Sequence, residues 1–170
     1  KPAGKFQRAV RLFGILPSRL FSFMANAITI VDAIKNRRLF GCLPRFKSLD
    51  TWTAWLVVLK VIFGLPMAAD DLAIFQRHTG RVSPPLGGSK ETYLIIGRRG
   101  GKSFISALVT CFIACFIDFS PFITVGETLA VMCRAKDKDQ ARIVFRYVKA
   151  ILNHIPALKG MIVRGERGRQ

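Results

Sequence analysis

Residues 91–119, ETYLIIGRRGGKSFISALVTCFIACFIDF, constrain the fold more than any other stretch. The short apolar run at 93–96 predicts a buried strand, and a glycine-rich turn follows at 97–101. After Lys102 and Ser103 comes an apolar run long enough to predict a helix rather than a second strand. Strand, glycine turn, Lys-Ser and helix is the layout of a phosphate-binding loop.

That chemistry needs these residue types. A phosphate chain takes several N–H donors converging on it, and glycines let the backbone curl closely because no Cβ intrudes. The following helix adds unpaired N–H groups and a favourable dipole at its N-terminus. Lys102 would set an ammonium against the outer phosphates, and the Ser103 hydroxyl would ligate Mg²⁺. The spacing departs from G-x-x-x-x-G-K-[ST]. Counting back from Gly101, the first glycine should stand at 96, where the chain has Ile96, and Gly97 comes one residue late. The loop is a shortened variant with Arg98 and Arg99 inside it.

Gly97, Arg98, Arg99, Gly100, Gly101, Lys102 and Ser103 resemble the deviant Walker A loop of tailed-bacteriophage terminase large subunits, the motors that package DNA into proheads. Upstream FQRHTGRVSPP (75–85) and downstream AKDKDQARIVFRYV (135–148) also look like that family, so the resemblance spans about residues 40–165. It implies an ATPase engine with a downstream nuclease domain, ATP and Mg²⁺ as ligands, and double-stranded viral DNA, the small terminase subunit and the portal protein as partners. It further implies a homo-oligomer during packaging, with virion assembly in the cytoplasm of the bacterial host. It gives Arg98 a role as a cis arginine offsetting charge on the γ-phosphate, and Gln76, 21 residues before Gly97, a role at adenine. The bland readings are that Arg98 and Arg99 face solvent or DNA phosphates and that Gln76 is a surface residue.

The expected fold is α/β: the first strands and helices of a P-loop NTPase-type parallel sheet, preceded by a helical N-terminal segment. Residues 1–49 read as a basic helical arm, with helical runs at 6–16 and 20–34 broken at Pro17. Residues 50–170 read as the N-terminal portion of the ATPase domain, stopping before the Walker B strand. Asp50 is the expected N-cap of a helix over 51–63, whose stripe of Trp52, Trp55, Leu56, Leu59, Ile62 and Phe63 predicts core and which Gly64 and Pro66 end. A short helix over 70–78 is capped by Gly80, and 81–89 is a loop. After a break at Ser120-Pro121, the run TLAVMC at 128–133 predicts a second buried strand. The helix starting near Asp137 has Ala141, Val144, Phe145, Val148, Ile151 and Leu152 as its apolar face. Strand, helix, strand, helix predicts a right-handed parallel crossover.

Twenty-seven Lys and Arg against ten acids give a net charge of +17, which favours a polyanionic partner, nucleic acid or an anionic surface. The first 50 residues hold ten of the cations against only Asp32 and Asp50. The four cysteines (Cys42, Cys111, Cys115 and Cys133) form no C-x-x-C pair and predict buried free thiols rather than zinc ligands. The longest mostly apolar run, 104–117, is 14 residues against the roughly 20 a spanning helix needs, so stable membrane insertion is not expected.

Hydrolysis also needs an acid on a neighbouring strand to hold Mg²⁺, and a nuclease needs a carboxylate cluster. The chain has no Asp-Glu pair, and only Asp70 and Asp71 are adjacent acids. These residues alone are therefore expected to bind nucleotide weakly or not at all, and not to turn it over. Two rival readings share the charge: another P-loop nucleic-acid motor of the helicase type, and a non-enzymatic basic module for nucleic acid or membrane in which 97–101 is an ordinary turn.

Overall fold

The computed structural model describes residues 28–135 and 137–162, and the backbone course of 8–13. Two strands, β1 (Arg8–Phe13) and β2 (Glu91–Ile96), pair with each other. The helices are α1 (Ile30–Lys35), α2 (Thr53–Phe63), α3 (Ala69–Thr79), α4 (Lys102–Phe116), α5 (Lys138–His154) and the short α6 (Pro156–Lys159). Single 3-10 turns lie at Phe40–Cys42, Pro44–Phe46, Asp50–Trp52 and Ser120–Phe122.

The core is helical. Phe104, Ile105, Leu108, Cys111 and Phe112 of α4 meet Ile151 of α5 and Ile155 and Leu158 beyond it on one side. Leu59, Ile62 and Phe63 of α2, and Ile30, Ile34, Phe40 and Phe46 from the segment before it, belong to the same buried cluster. Phe112 stacks on Phe116 at 5.4 Å and meets Phe63 edge-on at 5.3 Å. Such aromatic pairs add about 0.5–1.5 kcal/mol beyond the area they bury.

Several expected boundaries hold. Gly64 ends α2 at φ 62°, and Leu65 N–H closes back on the Lys60 carbonyl. A Cβ on Gly64 would stand 2.6 Å from the Gly88 nitrogen, so the loop at 87–88 can approach only a glycine. Gly80 caps α3, and the Asp137 carboxylate caps α5 by accepting Gln140 N–H at 2.8 Å. Asp50 does not cap α2. It begins a 3-10 turn and its carboxylate accepts the Ser48 hydroxyl at 2.8 Å, so α2 starts two residues later than expected.

Among the described residues the parallel sheet of a P-loop NTPase is not formed, and this overturns the expected fold class. β2 pairs antiparallel with β1, from Arg8 opposite Ile96 to Phe13 opposite Glu91. The second strand expected at 128–133 is not formed: those residues take no regular secondary structure, are exposed and pair with no strand among the described residues, with Leu129, Val131 and Met132 at 54, 56 and 82% exposure. The reason lies in α4. A crossover fold would cover its apolar face with a sheet, whereas here α5, α2 and residues 30–46 cover it. The helical reading of 6–16 is corrected too, because 8–13 is β1. The rest of the expected arm up to residue 27 lies outside the described residues.

The four cysteines are free thiols, with Cys111 buried and Cys133 exposed. Among the described residues no helix is long and apolar enough to cross a membrane.

Candidate phosphate-binding turn

The turn between β2 and α4 starts from a backbone hydrogen bond, Gly100 N–H to Gly97 C=O at 3.3 Å. Arg98 and Arg99 occupy its middle, and Arg99 takes a left-handed φ of 63°, a conformation that costs a side-chain-bearing residue about 1 kcal/mol or more. Gly101 follows at φ 82°. Left-handed residues at 99 and 101 flank Gly100, and left-handed positions within a turn are where successive backbone N–H groups can converge on an anion. The first intrahelical bond of α4 is Ile105 N–H to Gly101 C=O at 3.0 Å. The N–H groups of Lys102, Ser103 and Phe104 therefore have no partner within the helix, and the helix dipole adds partial positive charge there.

Two tryptophans hold this turn from below. The Trp55 indole N–H donates to Gly100 C=O at 2.9 Å. In a planar trans peptide the next N–H points opposite to that carbonyl, so Trp55 turns Gly101 N–H away from α2. Ring carbons of Trp52 and Nε1 of Trp55 lie 3.5 Å from where a Gly101 Cβ would sit. Trp52 is fixed in turn by its N–H to Arg45 C=O at 2.9 Å and by Phe46 and Phe104 at 5.1 and 5.7 Å. The Arg45 guanidinium closes this group over the Phe104 ring at 5.1 Å. Gly100 is crowded as well, since a Cβ there would fall 2.4 Å from Cγ2 of Ile96.

The structure thus brings Gly97, Arg98, Arg99, Gly100, Gly101, Lys102 and Ser103 into one turn. Gly97, Arg98 and Arg99 are exposed, and the four residues after them half-buried. Neither arginine forms an ion pair among the described residues. Gln76 is not brought to it. Its side-chain amide donates to Val82 C=O at 2.9 Å, which ties α3 to the loop that follows. Sequence reasoning placed both tryptophans in the core by spacing and missed their hold on the turn. The only signal available was that an indole N–H must find an acceptor when half-buried.

The residues fit a phosphate group at this turn: N–H groups at 102–104 with no partner in the helix, left-handed positions at 99 and 101, and a position 100 where a Cβ would force Ile96 to shift. For a metal the donor set is thinner. Among the described residues no three His, Cys, Asp or Glu come together, which leaves the Ser103 hydroxyl beside whatever oxygens the nucleotide brings. The open surface concavity of about 560 Å³ bordered by Lys35, Arg37, Lys47, Ser48 and Asp50 includes no residue of the turn. Compared with known proteins, the chain matches no family model, no curated protein and no solved structure.

Proposed function

We propose that residues 97–103 bind the phosphates of ATP, and that the chain is the ATP-binding part of a DNA-packaging motor of the terminase large-subunit kind. The observation that carries the first half is the pair of left-handed positions at Arg99 and Gly101 running directly into a 15-residue helix that starts with Lys102 and Ser103. The second half rests on the motif resemblance and on the charge of +17, which suits a polyanion such as DNA.

The roles follow from position. Backbone N–H groups from 101 to 104 cradle the phosphate oxygens, and Lys102 adds a charge-assisted contact. Ser103 is the residue that would hold Mg²⁺, which neutralises phosphate charge. Arg98, exposed and without an ion pair among the described residues, is placed to reach an outer phosphate.

The test is MgATP at millimolar concentration with the 170-residue chain, followed by saturation transfer to the nucleotide protons. Transfer is expected in the wild type and, in Lys102→Ala, a weakening of about ten- to a hundredfold, the worth of one charge-assisted contact. Equal transfer in both proteins overturns the reading. A specific observation favours the rival basic module: the middle of the turn is already satisfied, since Gly100 uses its N–H on Gly97 and its C=O on Trp55. That reading expects Lys102→Ala to change nothing.

A further inference from the structure

We infer that the outer face of α5 is a docking surface for the backbone of double-stranded DNA. The inference deepens the DNA-partner part of the proposed function and is independent of the phosphate turn. Lys138, Arg142, Arg146 and Lys149 are all exposed. At 100° per residue they fall within about 80° of one another on the helix, and from Lys138 to Lys149 they run about 17 Å along its axis. This is one straight row of cations on a rigid element. Of these four cations only Arg142 is ion-paired among the described residues, with Asp139 at 3.2 Å, and both partners are well exposed, so that pair competes weakly with a phosphate. Duplex DNA carries one charge per about 1.7 Å of axis, the densest linear array of anions such a row can meet.

The same helix disfavours other polyanionic surfaces. A helix lying on a membrane needs its apolar face in the lipid. The apolar face of α5 is already used, with Ile151 buried and Val144, Tyr147, Val148 and Leu152 packed against the core. Single-stranded nucleic acid is gripped by stacking on several aromatics. Phe145 is the exposed aromatic beside the row, and the Lys149 ammonium covers its ring at 4.8 Å.

The test is the salt dependence of binding to a duplex of random sequence. The chain carrying Lys138→Gln, Arg142→Gln, Arg146→Gln and Lys149→Gln is compared with wild type and with a charge-matched control, Lys35→Gln, Arg37→Gln, Arg38→Gln and Lys47→Gln. Circular dichroism checks that both variants keep the wild-type helix content. Each phosphate contact contributes about 0.9 to the slope of log affinity against log salt, so the α5 variant should lose about 3 to 4 from that slope while the control loses much less. Equal losses in the two variants would mean a diffuse field and overturn the inference, as would an unchanged slope in the α5 variant. Binding to anionic vesicles with none to duplex would assign the face to membrane and overturn it too. Lys102→Ala should leave the slope unchanged whatever it does to ATP, so the DNA face and the ATP turn can fail separately.

Discussion

The α4 region and residues 123–135 are built from similarly apolar sequence and end in opposite states. In α4, Phe104, Ile105, Ala107, Leu108, Val109, Cys111 and Phe112 are buried. Across 123–135, Val125 is 103% and Met132 82% exposed, and no residue is buried. A helix satisfies its backbone internally and needs neighbours only for its side chains. A strand needs a neighbour for its N–H and C=O groups as well. β2 finds one in β1, about eighty residues earlier, whereas 128–133 finds none among the described residues and is left exposed without regular structure. Apolar content thus decides what a segment can bury, and backbone pairing decides whether it becomes a strand.

The comparison can be broken most sharply through the thiols. Burial pushes the Cys111 thiol up to about 12, with Cys115 beside it adding to the shift. Cys133 lies exposed within 123–135. A disulfide reagent at mildly alkaline pH should modify Cys133 at once and reach Cys111 only through unfolding, on the order of a thousandfold slower or more. Comparable rates would show that α4 is not the packed side. Next in size are side-chain truncations. Phe112→Ala should lower unfolding free energy in urea by about 3–5 kcal/mol, whereas Leu129→Ser should stay within about 0.5 kcal/mol. A large loss at Leu129 would mean that 128–133 is packed in solution.

Smaller effects sharpen the packed side. Trp55→Phe keeps a ring against the turn and removes the bond to Gly100, so stability should fall by about 1 kcal/mol in the same urea titration. The smallest is a pH effect on the α2–α3 contact. Burial alone would raise the pKa of Asp71, but the Lys60 ammonium and Ala68 N–H outweigh it and hold the carboxyl below its usual value. A lowered folded-state pKa gives stability that is present above the ordinary carboxylate range and lost as pH falls through the lowered value. Asp71→Asn should flatten that acid limb of the stability profile and leave the neutral-to-alkaline limb unchanged in shape.

Much of the helical part was legible in local chemistry. Gly64, Gly80 and Asp137 mark real ends because capping acts within a turn of the residue concerned, while Ser120-Pro121 open a 3-10 turn four residues past the end of α4. Of the strands, the apolar run at 93–96 was legible and is part of β2, although none of its residues is buried, with Tyr93 60% and Ile95 70% exposed; the pairing was not legible, since it depends on partners far along the chain. Residues 8–13 read as helix and are β1, and 128–133 read as strand and pair with nothing among the described residues. The face of α5 was nearly right: Phe145, at its edge, is 58% exposed, and Tyr147 packs inward instead, against Phe104 at 6.0 Å. At the turn, the residue types named the candidate atoms, while their support from Trp55, 45 residues away in sequence, lay beyond any local pattern.

Trp52 and Trp55 are the only tryptophans in the chain, and both lie against Gly101. Tryptophan emission during a MgATP titration therefore reads the turn directly. The account predicts a saturable change in the wild type that is lost or strongly weakened in Lys102→Ala, and that is absent when adenosine, which has no phosphates, replaces ATP. No saturable change up to millimolar MgATP, or the same change in Lys102→Ala, would contradict the claim that residues 97–103 bind a triphosphate.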